Sequence, residues 1–347
     1  MKKPLLFVLL LTAFSVATLK AQFTIRLATG YAWPGFTNTE SVTGPKIDAK
    51  TPAEDGLVPM ANIVDKVMGG DSIYQPVHGS YGKGVNVTLG LGYMINRYFG
   101  FDLGISFLKS ASISCNQYKE LYLEDPVSPT GFDATGSYLN CKISTNVFGI
   151  SLMPSIVVAA AKPGWKVYPY ARLGLSMPVF GKSLQNVDIT LDSAFANSPA
   201  ISKSPYFLGV HTKVTLETQG SASLGFNGAL GVSYRPIPLI SVFAEVNGQY
   251  LTVKAKSSKI TQWESDGTDK IPDRGVYRTQ FNYVDQLTSS SNNAAYNANY
   301  DATKPKEDIR PTAAFSNLGF NVGITFYIGK EKKKKKDEPA TKTEETK

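Results

Sequence analysis

The chain is poor in the residues that most metal centres and many catalytic sites use. Its 347 residues include two cysteines and two histidines, too few for a disulfide framework or a structural zinc site. Charged residues make up only 18%, which excludes a charge-rich disordered protein or a coiled coil. No phosphate-binding glycine loop and no cluster of metal ligands stands out, so no cofactor and no metal are expected. The long apolar run, residues 5–16, is shorter than the roughly 20 residues that a membrane-spanning helix needs.

That run follows Lys2 and Lys3 and precedes Ala21 and Gln22. The pattern reads as a secretory signal peptide over 1–21, cut before Gln22. A retained N-terminal anchor is the other reading. No cysteine follows the apolar run, which argues against a lipoprotein. The net charge of +8 nominally points to nucleic acid. Three of its lysines lie in 1–21, and the tail 330–347 carries a net +3, leaving only +2 on residues 22–329. No basic face remains to hold phosphates, so no nucleic-acid partner is expected.

What the body does have is glycine, aromatics and a period of two. In residues 84–95, Val85, Val87, Leu89, Leu91, Tyr93 and Ile95 alternate with Asn86, Thr88, Gly90 and Gly92. Successive side chains of a strand point to opposite faces, so one face is apolar and the other small and polar. The same alternation runs through 23–33, 99–107, 148–156, 167–179, 223–233, 240–249 and 317–328. Each segment has about the length of a tilted membrane strand, roughly 9–11 residues. A soluble barrel would turn the apolar face inward and carry many Lys, Glu and Asp outside. Here the polar face is mostly Gly, Ser, Asn and Thr, which suits lipid outside and a narrow filled interior.

Connection lengths point the same way. Short links lie near Asn96, at 159–164 and at 235–238, and they alternate with long ones at 35–82, 109–141, 181–218 and 256–312. Short periplasmic turns and long outer loops are the habit of outer-membrane barrels. The expected fold is all-β: an eight-stranded antiparallel up-and-down transmembrane β-barrel over 22–329, with long extracellular loops. Aromatics near the two rims, Phe99, Tyr234 and Phe326 at one and Tyr31, Trp33, Phe107 and Tyr250 at the other, suit interfacial girdles.

Residues 22–329 resemble the small eight-stranded outer-membrane barrels of the outer-membrane protein A and X type. The last segment carries Asn321, Gly323, Phe326 and Ile328 and resembles the terminal assembly signal of those barrels. It departs in having Ile328 where Phe is usual and in the 18-residue tail that follows. The resemblance implies the cell outer membrane as location, with contacts to outer-membrane lipid and lipopolysaccharide and to the barrel-assembly machinery. A monomer is expected.

The inward face carries four clear ionisable residues: Arg26, Asp102, Arg172 and Glu245. An eight-stranded barrel has a lumen that side chains fill, and unpaired charge there is costly. The expectation is a charge cluster plugging the lumen; the alternative is that these groups face separate waters. Cys115 and Cys141 fall in one long connection, and in an oxidising compartment they are expected to form a disulfide. Such a bridge would close a loop of about 27 residues and contribute about 3 kcal/mol. His78 and His211 read as loop residues, and Glu264, Asp266 and Asp269 around Gly267 only weakly suggest calcium. Residues 206–216 keep strand alternation and could extend the fifth and sixth strands as a hairpin; 286–305, rich in Ser, Asn and Ala, reads as mobile. The lysine-rich tail 330–347 reads as a disordered periplasmic end, or as a contact for anionic lipid head groups or cell-wall polymer.

Three functions remain in view. The first is a non-enzymatic barrel whose surface loops bind an extracellular ligand, adhere, or support envelope integrity. The second is a narrow channel or lateral path for small solutes. The third is a lipid-modifying barrel enzyme.

Overall fold

The computed structural model describes residues 22–35, 43–45, 57–59, 61–66, 72–120, 138–162, 164–191 and 210–328. The expected signal peptide and the tail 330–347 lie outside the described residues. In chain order the strands begin with β1 (Gln22–Pro34), β2 (Thr43–Pro45), β3 (Leu57–Pro59), β4 (Ala61–Asp65), β5 (Ile73–Pro76) and β6 (Gly84–Met94). Next come β7 (Phe99–Ser110), β8 (Ile113–Glu120), β9 (Tyr138–Ala159), β10 (Val167–Leu191), β11 (His211–Gly220), β12 (Gly225–Ile237) and β13 (Ile240–Tyr250). The last are β14 (Thr252–Ser265), β15 (Thr268–Asp269), β16 (Gln280–Val284), β17 (Lys306–Ile309), β18 (Thr312–Ala314) and β19 (Asn317–Ile328), with one short helix, α1 (Gly275–Thr279), after β15.

Eight of these strands pair in a ring. β1 pairs with β6, β6 with β7, β7 with β9, β9 with β10, β10 with β12, β12 with β13, β13 with β19, and β19 with β1, all antiparallel. Following the ladder from strand to strand therefore returns to its start, and no edge is left open in this part. The short links sit at one end. Between β6 and β7, Asn96 Oδ1 accepts the N–H groups of Tyr98 and Phe99, both at 2.8 Å, so the side chain itself closes the turn. Between β12 and β13, Arg235 donates to the carbonyl of Pro238 and stacks 4.0 Å from the Tyr327 ring centre.

Around the ring the alternating apolar residues point outward. Leu173 is 71% exposed and Leu230 70%, and Leu27, Leu91, Leu103, Val232, Val246 and Phe320 are also exposed. Thr24, Thr88, Ser155, Ser176, Ser233 and Ser241 face in and are buried. Among the described residues no helix is long and apolar enough to cross a membrane. Trp33, Phe107 and Tyr250 are exposed toward one rim, Tyr234 and Phe326 toward the other.

Much of what reads as long loop in the sequence is strand. β9 has 22 residues and β10 has 25. At about 3.4 Å per residue this is more than twice the length needed to cross the hydrocarbon. Their upper parts pair with β8 and β11. β11 pairs with β14, which also pairs with β15, β16 and β18. β16 and β17 add a parallel pair, and β4 joins β8 in parallel. The hairpin extension expected around 206–216 corresponds to β10 with β11, pairing Lys182 with Gln219 through Thr190 with His211.

In this upper module the apolar face turns inward. Cys115, Cys141, Ile143, Val187, Ile189, Leu191, Val214, Ile260, Trp263 and Phe281 form one buried cluster, while Lys142, Asn146, Asn186 and Asp188 are exposed. The hydrophobic effect drives the inversion, because the surroundings change from lipid to water. The two long strands achieve it differently. In β9 the apolar residues change parity, from even positions (Ile156, Val158) to odd ones (Cys141, Ile143), across Val147 and Phe148. In β10 the apolar residues stay on odd positions and the backbone shifts instead. A bulge between Pro178 and Phe180 inserts one residue, which exchanges the two faces of everything above it.

One expectation is corrected here. Cys115 and Cys141 are free buried thiols and form no disulfide. Their strands are adjacent, but Cys115 stands opposite Ile143 and Cys141 opposite Gln117. Diagonal neighbours in a sheet lie roughly 7–8 Å apart, beyond the usual Cα span of a disulfide, about 4.4–6.8 Å. Residues 286–305 run as turns around one side chain. The Asn292 side chain accepts from the N–H of Asp301 at 2.6 Å and donates to the carbonyls of Asp301 and Pro305 at 3.0 and 2.9 Å, pinning the segment.

Candidate functional site

The four inward ionisable residues come from every second strand of the ring: Arg26 from β1, Asp102 from β7, Arg172 from β10 and Glu245 from β13. Their positions in the ladder put them at one level of the lumen, and the structure brings all four together. Arg26 Nη2 lies 2.7 Å from Asp102 Oδ2, and Arg172 Nη2 lies 2.6 Å from Glu245 Oε1. The circuit closes through Arg172 Nη1 to Asp102 Oδ2 at 3.4 Å and Arg26 Nη1 to Glu245 Oε2 at 3.6 Å. Each arginine touches both carboxylates. All four groups are buried, Glu245 to 1% exposure.

The intervening strands make room for the ring. A Cβ on Gly90 would stand 2.8 Å from Asp102 Oδ1 and 3.1 Å from Arg26 Nε, and one on Gly231 would stand 2.7 Å from the Tyr170 ring. Any larger residue at either site would displace a ring member. Two neutral groups complete it. Tyr170 Oη donates to Glu245 Oε2 at 2.7 Å, and Asn321 Nδ2 donates to Glu245 Oε1 at 3.0 Å. The Phe243 ring lies 5.8 Å from the Arg26 guanidinium carbon. With two positive and two negative charges, the ring is neutral. Such a cluster withstands desolvation only because every charge has close opposite partners. Toward the short-turn end a second polar contact crosses the lumen, Tyr168 Oη to Tyr327 Oη at 2.7 Å.

Sequence reasoning finds the four charges because each interrupts a small, polar face. It does not find Tyr170 or Phe243, which read as ordinary aromatics. It assigns Asn321 only to the terminal pattern, although an amide on the inward face of the closing strand is a signal in itself. Gly323, Phe326 and Ile328 lie on β19 with Asn321; Phe326 and Ile328 are exposed outward. On the opposite side of the ring from the Tyr168–Tyr327 contact, the lumen widens into a cavity of about 360 Å³.

The remaining candidates lie apart. His78 and His211 are exposed, and among the described residues neither imidazole bonds a hydroxyl or a carboxylate. Asp266 holds a φ of 47° and Gly267 one of 76° in the β14–β15 turn. The Asp266 carboxylate accepts the N–H groups of Val210 and His211 at 3.0 and 2.8 Å, and Asp269 accepts that of Ile271 at 3.0 Å. These acids shape a hairpin turn.

A family described as "Outer membrane protein beta-barrel domain" matches residues 6–283. No curated protein matches in sequence. Among solved structures, the outer membrane protein OprG of Pseudomonas aeruginosa is 10% identical with a TM-score of 0.36, covering 89% of this chain and 96% of its own. Ail, the attachment invasion locus protein of Yersinia pestis, is 9% identical with a TM-score of 0.26, covering 89% and 97%. CarO of Acinetobacter baumannii is 15% identical with a TM-score of 0.27, covering 70% and 92%.

Proposed function

Because the chain belongs to the outer membrane protein beta-barrel domain family, and so resides in the cell outer membrane, we propose that it is a non-conducting, non-enzymatic anchor that presents a folded β-module to the outside for binding or adhesion. The observation that carries this reading is the apolar core of that module. Trp263, Leu139, Ile143, Ile189, Leu191 and Ile260 are all fully buried above the barrel. Closing four hairpins would need no such core, and a rigid scaffold bearing a shaped outer surface is where recognition usually resides.

The ion ring supports the non-conducting part. It fills a lumen that is already narrow, and the Tyr168–Tyr327 contact obstructs it again. The exposed, separate histidines give no nucleophile–base pair to support an enzyme. On this reading the extracellular partner meets the module, outer-membrane lipid and lipopolysaccharide meet the apolar band, and the barrel-assembly machinery reads β19. The chain acts as a monomer.

The test compares cells displaying the full chain with cells displaying Trp263→Ala, on surfaces coated with collagen or fibronectin. Attachment by the full chain, lost in the variant while the heat-resistant gel mobility of a folded barrel is kept, is the expected result. Attachment no greater than that of cells lacking the chain, or undiminished in the variant, overturns the reading.

A further inference from the structure

The cavity above the ion ring is unlike the rest of the lumen. We propose that it is a binding site for one small neutral amphipath, which reaches it sideways from the outer leaflet through a seam in the barrel wall. This inference goes beyond the adhesive reading and does not depend on it.

The seam is visible in the strand pairing. β10 pairs with β12 up to Ser176 opposite Gly225, and with β11 from Lys182 opposite Gln219. Between these points residues 177–181 and 220–224 face each other, and no backbone pairing joins them among the described residues. Pro178 could not donate there in any case. Phe180 and Gly181 from one edge and Gly220 and Ala222 from the other line the cavity, so the seam opens into it. Val179, Phe180, Leu224 and Phe226 are exposed beside the seam. The opening therefore meets the end of the apolar band, where lipid tails lie.

The lining fixes the ligand's chemistry. About 360 Å³ falls within the range of small-molecule sites, roughly 300–1,000 Å³. Val147, Leu251, Val253 and Phe315 line its upper part and suit an apolar body. Asn86, Asn247 and Asn321 also line it, and the side-chain carbonyl oxygen of each is buried without a hydrogen-bond partner. Because Asn321 commits its Nδ2 to Glu245, it is the oxygen that is left unpaired. Unpaired buried acceptors are costly, and an O–H or N–H donor would satisfy them. The ring beneath is neutral, and the two lysines of the lining face acids, Lys182 with Glu217 at 3.2 Å and Lys254 with Asp285 at 3.9 Å, so the cavity offers no unpaired charge to an ionised head group. The same ring closes the other end of the lumen, which makes the cavity a place of binding and not a passage.

The experiment titrates the full chain in nanodiscs with N-phenyl-1-naphthylamine, a neutral aromatic with one N–H donor, and follows its fluorescence. Saturable binding of one probe per chain is expected. A Cβ on Gly149, which shares the inward face of β9 with Val147 and lines the cavity, meets no atom nearer than 3.7 Å, so Gly149→Leu occupies the space. It should weaken binding by roughly tenfold or more. Ala222→Trp at the seam should slow association by about fivefold while changing affinity less than twofold. Gel mobility confirms the fold of each variant. If Gly149→Leu fails to fold, Gly181→Leu replaces it, since Gly181 also lines the cavity and a Cβ there meets nothing nearer than 3.5 Å. Unsaturable binding, or affinity unchanged by the filling variant, overturns the site. An unchanged association rate in Ala222→Trp overturns the sideways path. Equal affinity for 1-naphthalenesulfonate overturns the preference for a neutral head. The adhesion assay above reads none of these, so the two proposals fail separately.

Discussion

Arg172 and Glu245, 73 residues apart in the chain, meet across one intervening strand with Nη2 and Oε1 2.6 Å apart. The contact ties β10 to β13 through the lumen, where the backbone ladder cannot. Removing one partner leaves the other buried and charged. Glu245→Ala should therefore destabilise the barrel by about 3–5 kcal/mol, measured by urea unfolding in vesicles. The pair should also be coupled: Arg172→Met with Glu245→Met should cost less than the sum of the single changes. In planar bilayers the full chain should show no steps of current, and the Arg172→Ala chain, with the ring opened, should show small ones.

The bulge at Val179 gives a second prediction. Deleting Val179 restores an unbroken alternation in β10 and turns Val187, Ile189 and Leu191 out toward water. The module should lose its core, while the lower ring, whose strand faces do not change, remains. Trypsin applied to intact cells should then cut the outer strands at least tenfold faster than in the unchanged chain, as expected for a loss of local stability above about 1.4 kcal/mol. The folded gel mobility of the barrel should persist.

Alkaline pH should loosen the same module. Burial pushes the Cys115 thiol up to about 11 and the Cys141 thiol up to about 12, from an ordinary value near 9. Burial pushes Tyr283 from 10 to about 12. Each of these groups is neutral when protonated and gives up its proton sooner in the unfolded chain. Their stabilising effect is therefore complete below pH 9 and lost as pH rises through 9 to 12. Unfolding of the module followed by Trp263 fluorescence should show stability falling over that range. Cys115→Ala with Cys141→Ala should flatten the part of the fall that starts near pH 9. At pH 8 both thiols should react slowly with iodoacetamide, since very little thiolate is present.

Asn292 organises residues 286–305 from inside, through its bonds to Asp301 and Pro305. Asn292→Ala removes these contacts and touches no core residue. The expected outcome is new protease cleavage within 286–305 on intact cells, with the unfolding midpoint of the barrel unchanged.

The ring of strands is legible in the sequence because its signal is local. Alternation within each segment, together with the rhythm of short and long connections, suffices to place β1, β6, β7, β12, β13 and β19. The charges of the ring are legible because Arg26, Asp102, Arg172 and Glu245 interrupt faces made of glycine and small polar residues. The module is not legible in the same way. Val187, Ile189 and Leu191 alternate just as Leu173 and Leu175 do, and only the one-residue bulge between them decides which faces lipid and which faces a core. That bulge, and the pairing of β8, β11, β14 and β16 across long stretches of chain, are settled by contacts far apart in sequence. The cysteines fail for the same reason: their spacing suggests a bridge, and the register that separates them belongs to the β8–β9 ladder.

The inversion of β10 at Val179 also gives the chain a waterline. Below it, outward side chains such as Leu173 and Leu175 are at home only in hydrocarbon. Above it, Asn186 and Asp188 are at home only in water. At the boundary itself exposed Val179 and Phe180 stand only a pair of residues from Lys182, so a shift along the membrane normal wets the first two or draws the lysine toward hydrocarbon. The protein therefore cannot ride up or down to suit a thicker or thinner bilayer. The membrane must adjust around it, and the seam beside Val179 is held at the depth where lipid tails end.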